Sequence, residues 1–207
     1  MNPLAGIVAF ASTGSLIASL VSGAPDAAPA DGNAVLAAIS VRNPGLESFT
    51  FHADIGMAMR HFPWLHFHVQ GTGDYQRGDH YVLRLSGGLP FSSGMQQIDL
   101  SMIDPSMWAH RYRYRAIGTN DGDTLFALHS LHDPSLKSAT VALSPSSAAH
   151  WVDAAYADGT HIHMTVGSGD VQGFLLPSTL DADVDRPHMP LAASATFNDY
   201  VISSTNP

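Results

Sequence analysis

Histidine is the residue whose number and spacing most invite chemistry in this chain, which carries 12 of them in 207 residues. His66 and His68 stand two apart, as do His161 and His163. On a β-strand, residues i and i+2 share a face, so each pair presents two imidazoles in the same direction and could hold zinc or copper once a third ligand arrives. In both segments the apolar stripe falls on the opposite face, and no carboxylate follows at a fixed spacing. Both pairs are therefore expected on the solvent side, and no metal site is assigned; these four histidines are the candidates. Asp181, Asp183 and Asp185 also share one face. Carboxylates suit calcium, but an extended strand spreads them ~6–7 Å apart, so a solvated acidic face is expected. Nucleophile and phosphate motifs are missing: there is no Gly-x-Ser-x-Gly, His-Glu-x-x-His, P-loop or Gly-x-Gly-x-x-Gly. Gly167-Ser168-Gly169 reads as a turn of small residues. Arg77-Gly78-Asp79 spells an integrin tripeptide but reads as a hairpin tip. No catalytic residue and no cofactor is assigned, and the chain is not expected to be an enzyme.

The elements that would position these groups are strands. From Ser48 to Tyr200 apolar and polar residues alternate, the period of a strand with one dry face and one wet face. Asp-Gly and Gly-Asp steps punctuate the run, supplying the positive φ of tight hairpins. Phe49, Phe51, Ala53, Ile55, Met57 and Met59 form the dry side of a long first strand, which Pro63 is expected to break. Leu65, Phe67 and Val69 resume that side, followed by Tyr81, Leu83 and Leu85. Arg111 to Arg115 alternates strictly, tyrosines against guanidiniums. Later hairpins turn at Asn120–Asp123, Asp133-Pro134 and Asp158-Gly159, and further strands run over 171–176, 180–184 and 191–202. Nine to eleven strands result, more than an open sheet carries without curling.

Two segments differ. Asp31 to Arg42 predicts a helix with Val35, Leu36 and Ile39 on one face, ended by Asn43-Pro44-Gly45. Gly87 to His110 lacks clean alternation yet is rich in large apolar residues, among them Leu89 and Phe91. It predicts a helical flap over the sheet or an ordinary core-covering helix, with Leu100, Met102, Ile103, Met107 and Trp108 as its contacts and Asp104-Pro105 as a helix start. Methionine suits a surface that adapts to variable contents.

Composition narrows the partners. A formal charge of −9, with one lysine (Lys137) and one glutamate (Glu47), argues against nucleic acid. The absence of cysteine removes disulfides, thiolate metal sites, thiol catalysis and lipid attachment at a cysteine. Residues 1–30 are set apart: Leu4 to Val21 is uncharged and apolar, followed by the small-x-small triplets Ser22-Gly23-Ala24 and Ala28-Pro29-Ala30. This reads as an export signal or disordered N-terminus, with cleavage near Ala24 or Ala30, although no Lys or Arg precedes the apolar run. Residues 31–207 are expected to form a single domain.

The order of parts resembles the outer-membrane lipoprotein carrier (lipoprotein-sorting protein) superfamily. Leu136-Lys137-Ser138-Ala139-Thr140-Val141-Ala142-Leu143, the hairpin from Trp151 to His163, Gly173-Phe174-Leu175-Leu176-Pro177 and the closing strand Ala193 to Tyr200 carry the likeness, within a span of roughly 31–203. The resemblance implies a mainly β (α+β) fold: a large curved antiparallel sheet forming an incomplete β-barrel, closed by a short N-terminal helix and a helical flap. It implies an apolar cavity for acyl chains, with lipid or acylated protein as cargo, membrane donor and acceptor proteins, and a periplasmic or otherwise extracytoplasmic location. The family's best-known carrier latches its lid with an arginine on an early strand; that role is not carried over to Arg60. The expected cavity lining is Phe49, Phe51, Ile55, Met57, Leu65, Phe67, Leu83, Tyr112 and Tyr114. The reading is a non-enzymatic, monomeric carrier of lipid or lipoprotein acyl chains. An envelope sensor or scaffold with a filled core, and a His-rich periplasmic metal-binding protein, are the alternatives.

Overall fold

A computed structural model describes residues 39, 42–86, 97–187 and 189–205. Eleven antiparallel strands make one sheet: β1 (Leu46–Met59), β2 (Phe62–Gln76), β3 (His80–Ser86), β4 (Gln97–Asp99), β5 (Tyr112–Asn120), β6 (Asp123–Ser130), β7 (Leu136–Leu143), β8 (Ala149–Tyr156), β9 (His161–Val171), β10 (Phe174–Asp185) and β11 (Leu191–Ser204). The spatial order is β4-β3-β2-β1-β11-β10-β9-β8-β7-β6-β5. The sheet does not close, because its ends β4 and β5 do not pair with each other, and the result is an incomplete barrel. Every neighbouring pair is consecutive in sequence except β1 with β11, which joins the two halves of the meander.

The turns are where their chemistry predicts. Asp121 and Gly122 both have positive φ at the β5–β6 tip, the signature of a two-residue hairpin loop. Arg77-Gly78-Asp79 is the β2–β3 turn. Three expectations change. Pro63 lies within β2, and the first hairpin instead turns at Arg60–His61. Gly167-Ser168-Gly169 is part of β9 rather than a turn. The two late strands expected over 171–184 are one strand, β10, after a turn at Gln172 and Gly173, with Pro177 absorbed by a register shift before Thr179. A shift of that kind lets a residue without an amide hydrogen sit in a ladder.

Period-two alternation puts the dry face inside. Phe49, Phe51, Ala53 and Ile55 of β1 are buried while Thr50, His52 and Asp54 are exposed. The same alternation continues through Val141 and Val152 on the far half, giving one continuous core. The connection from β4 to β5 is less helical than predicted: two 3-10 turns (Ser101–Ile103 and Pro105–Met107), then a one-turn helix, α1 (Trp108–Arg111). Asp104 accepts a hydrogen bond from the Ser106 amide at 3.0 Å and so caps the second turn. Residues 87–96 of the expected flap, and most of the expected helix over 31–42, lie outside the described residues; Ile39 is helical and buried in the core.

Candidate functional site

The inner face has a closed end and an open end. Register brings Phe49 opposite Tyr75, and Tyr75 opposite Tyr81. Phe49 stacks on Tyr75 with ring centroids 4.5 Å apart, and Phe51 meets Phe197 at 5.1 Å and Tyr200 at 5.5 Å. The β4–β5 connection seals this end. Trp108 is fully buried, its ring 5.4 Å from Phe126 and 5.8 Å from Tyr114, and its indole N–H donates to the Met102 carbonyl at 3.1 Å. Leu100, Ile103 and Met107 are buried beside it, and Met102 is half-buried. The buried Tyr112 hydroxyl pairs with Ser101 Oγ at 2.9 Å. Burial pushes the Tyr112 and Tyr75 hydroxyls up to about 12, so both stay neutral.

At the other end the wall is apolar and only half covered. Met57, Leu65, Phe67, Leu85, Tyr114, Ile162, Met164 and Ala182 are each half-buried, although their strands turn them inward. The nine expected lining residues thus share the inner face but divide by burial: Phe49, Phe51, Ile55, Leu83 and Tyr112 are enclosed, while Met57, Leu65, Phe67 and Tyr114 border the open part. A wall of thioethers, alkyl groups and aromatic rings with no charge offers dispersion and water exclusion, and suits an alkyl chain.

One polar nook interrupts the closed end, and sequence reasoning missed it. Arg42 donates to the Ser147 carbonyl at 2.8 Å and to the Leu175 carbonyl at 3.0 Å, pinning the start of β1 to the β7–β8 turn and to β10. Its Nε and the hydroxyl of the buried Tyr81 have no partner among the described residues. Both line a space of about 30 Å³, room for a single ordered water to accept from them. Desolvation lowers the Arg42 pKa, an effect opposed by Asp104, and burial pushes Tyr81 well up. The only sequence signal was a guanidinium directly before the strand-initiating Asn-Pro-Gly.

A second hollow, about 370 Å³ in volume, is lined mainly by outer-face groups and also by Met57, Phe67, Ala182 and Ala193 of the inner stripe. Gly56, Ala58, Ala192 and Ser194 make its floor, because Gly56 pairs with Ser194 and Ala58 with Ala192. His66 and His68 stand on one side; Asp181, Asp183, His163 and Thr165 stand on the other. Asp183 is ion-paired with Arg60, and His163 pairs with Asp153 at 2.6 Å. Three of the four candidate histidines therefore share one trough, and His161 does not line it. Among the described residues no three histidine or carboxylate side chains come together as a metal site. Asp181, Asp183 and Asp185 are exposed on one face of β10.

No protein-family model and no curated protein sequence matches the chain. Solved structures do. A LolA superfamily protein from Nitrosomonas europaea superposes with a TM-score of 0.57 at 11% identity, covering 84% of this chain and 94% of that one. A DUF1329 family protein from Desulfovibrio piger gives 0.59 at 9% identity over 83% and 91%. A putative outer membrane lipoprotein-sorting protein domain from Vibrio parahaemolyticus gives 0.57 at 9% identity over 84% and 93%. The incomplete barrel is therefore a fold that this chain shares with these solved structures at 9–11% identity.

Proposed function

We propose that this chain binds lipid or lipoprotein acyl chains on the open part of its inner face and carries them through an extracytoplasmic compartment without covalent chemistry. The observation that carries the reading is the half-covered apolar wall around Met57, Phe67, Ile162 and Met164. The shared fold with a lipoprotein-sorting domain supports it. Burying a CH₂ group is worth ~0.8 kcal/mol, so a sixteen-carbon chain gains roughly 10 kcal/mol before ordering costs. That suffices for capture. The closed end is already filled by Phe49, Phe51 and Trp108, so the chain enters at the open end and lengthens its contact as the β4–β5 connection yields. Residues 31–207 act as one monomeric unit after cleavage near Ala24 or Ala30.

Native mass spectrometry of the chain purified from membrane-containing cells tests this. A discrete added mass that extraction resolves into acyl lipid is expected, and Met57→Lys with Met164→Lys should abolish it without loss of fold. Protein that carries no lipid and refuses added fatty acid and phospholipid overturns the proposal. That outcome would favour the filled-core scaffold, to which the fully packed aromatic end is equally suited.

A further inference from the structure

Among the described residues, Phe62 and Trp64 are the only Phe, Tyr or Trp side chains that are exposed, at 47% and 76%. They sit together at the start of β2, directly after the Arg60–His61 turn, in an edge-to-face contact with centroids 5.6 Å apart. The ladder explains their position. Ala58 pairs with His66 but Met59 pairs with Phe62, so residues 63–65 bulge out of register at the hairpin tip. A bulge re-aims side chains, and this one turns Trp64 into solvent beside Phe62.

From these features we infer that the β1–β2 tip is a membrane-docking wedge that seats in the interface of a lipid bilayer. Size argues for lipid over protein. Two rings of 150–250 Å² each, exposed to this degree, present on the order of 250 Å², far below the roughly 800 Å² per partner of a stable protein interface. A phenyl and an indole side by side match the interfacial zone, where the ring body is dry and the indole N–H wet. Charge permits approach: from Gly56 to Gln70 the hairpin has no carboxylate and carries Arg60, His61, His66 and His68, in a chain of net charge −9. The carboxylates that face it from β10 are Asp181 and Asp183, and Asp183 is already paired with Arg60. The same hairpin supplies Met57, Leu65 and Phe67 to the half-covered wall, so a seated tip brings that wall to the bilayer surface. The wedge does not require that the wall carry lipid.

Flotation of the full chain with mixed phosphatidylcholine and phosphatidylglycerol vesicles tests the wedge, alongside tryptophan quenching by brominated acyl chains. The wild type should float and be quenched. Phe62→Ser with Trp64→Ser should weaken partition about tenfold or more and remove the quenching, with an unchanged urea midpoint. Leu131→Ser with Val201→Ser, which removes exposed apolar groups elsewhere, should float like the wild type. Wild-type protein that stays out of the lipid fraction overturns the inference. So does a double variant that floats undiminished, or one that changes only the oligomeric state in sedimentation, which would make the tip a contact between copies. A double variant that still carries lipid in native mass spectrometry leaves the carrier reading standing whichever way flotation falls.

Discussion

Arg42 shows what a half-buried cation does when its neighbours are carbonyls rather than a directly bonded carboxylate. The guanidinium bonds Ser147 and Leu175 across the barrel end, and Asn43 reinforces the link by donating to the Leu175 carbonyl at 3.0 Å and accepting its amide at 2.8 Å. Arg42→Met keeps the apolar stem and removes both charge-assisted bonds. The Leu175 carbonyl retains Asn43 but the Ser147 carbonyl loses its charged donor, so the expected loss is about 1–3 kcal/mol, read as a lower urea midpoint at pH 7. His80 gives a pH-dependent counterpart. Its Nδ1 lies 2.9 Å from Asp79 and its Nε2 3.2 Å from Asp74. The hydrogen bond to Asp79 raises its pKa above the ordinary 6.5, against desolvation, with help from Asp74. The folded state therefore holds this proton more tightly than the unfolded chain does. The added stability is complete below pH 6.5 and disappears as pH rises through the raised folded value. His80→Gln should flatten the dependence of the unfolding midpoint on pH above about 6.5, by less than ~1 kcal/mol because the pair is partly solvated.

Single glycines decide how the strands of the closed end meet. A Cβ on Gly73 would lie 1.9 Å from two atoms of the Phe51 ring, which is itself fully buried. Gly73→Ala must displace that ring and is expected to cost about 1–3 kcal/mol. Gly78, at the β2–β3 turn, has φ +75° and open space around it, so Gly78→Ala should cost only the left-handed backbone penalty of about 1–2 kcal/mol. Denaturation midpoints would separate the two further in a Phe51→Leu background, where Gly73→Ala should lose much of its effect and Gly78→Ala none. Elements of this kind were legible to different degrees in the sequence. Alternation from Phe49 to Met57 located both the strand and its dry face, because the pleat has a period of two whatever the partner. Turn residues located most hairpins. Strand partners were not legible: nothing in Ala192 or Ala58 says that they will floor one hollow, since that depends on β1 lying against β11. The β4–β5 connection kept its apolar role but only one turn of α-helix, because its short runs end at Asp104-Pro105 and again where β5 begins. The nook at Arg42 was invisible for the same reason as the hollow: its partners come from the β7–β8 turn and β10.

At the scale of the whole molecule, surface charge is set by carboxylates and histidines. The formal net charge of −9 counts all 12 histidines as neutral. The sequence has its isoelectric point near pH 5.6. Light scattering should therefore show self-association peaking near that pH and relieved on either side, and salt should blunt it. The sheet order carries a different consequence. The two halves of the meander, four strands from β4 to β1 and six from β10 to β5, are joined within the sheet through β11. The Asn198 amide of β11 reaches the Asp54 carboxylate of β1 across 144 positions of sequence. A ribosome delivers β1 among the earliest strands and its partner last, so the early half waits with a bare, 14-residue edge until synthesis is nearly over. The final strand is in this sense a clasp: a chain truncated before Leu191 would be left as two half-sheets, each offering a long unpaired edge to its neighbours, and would aggregate instead of folding.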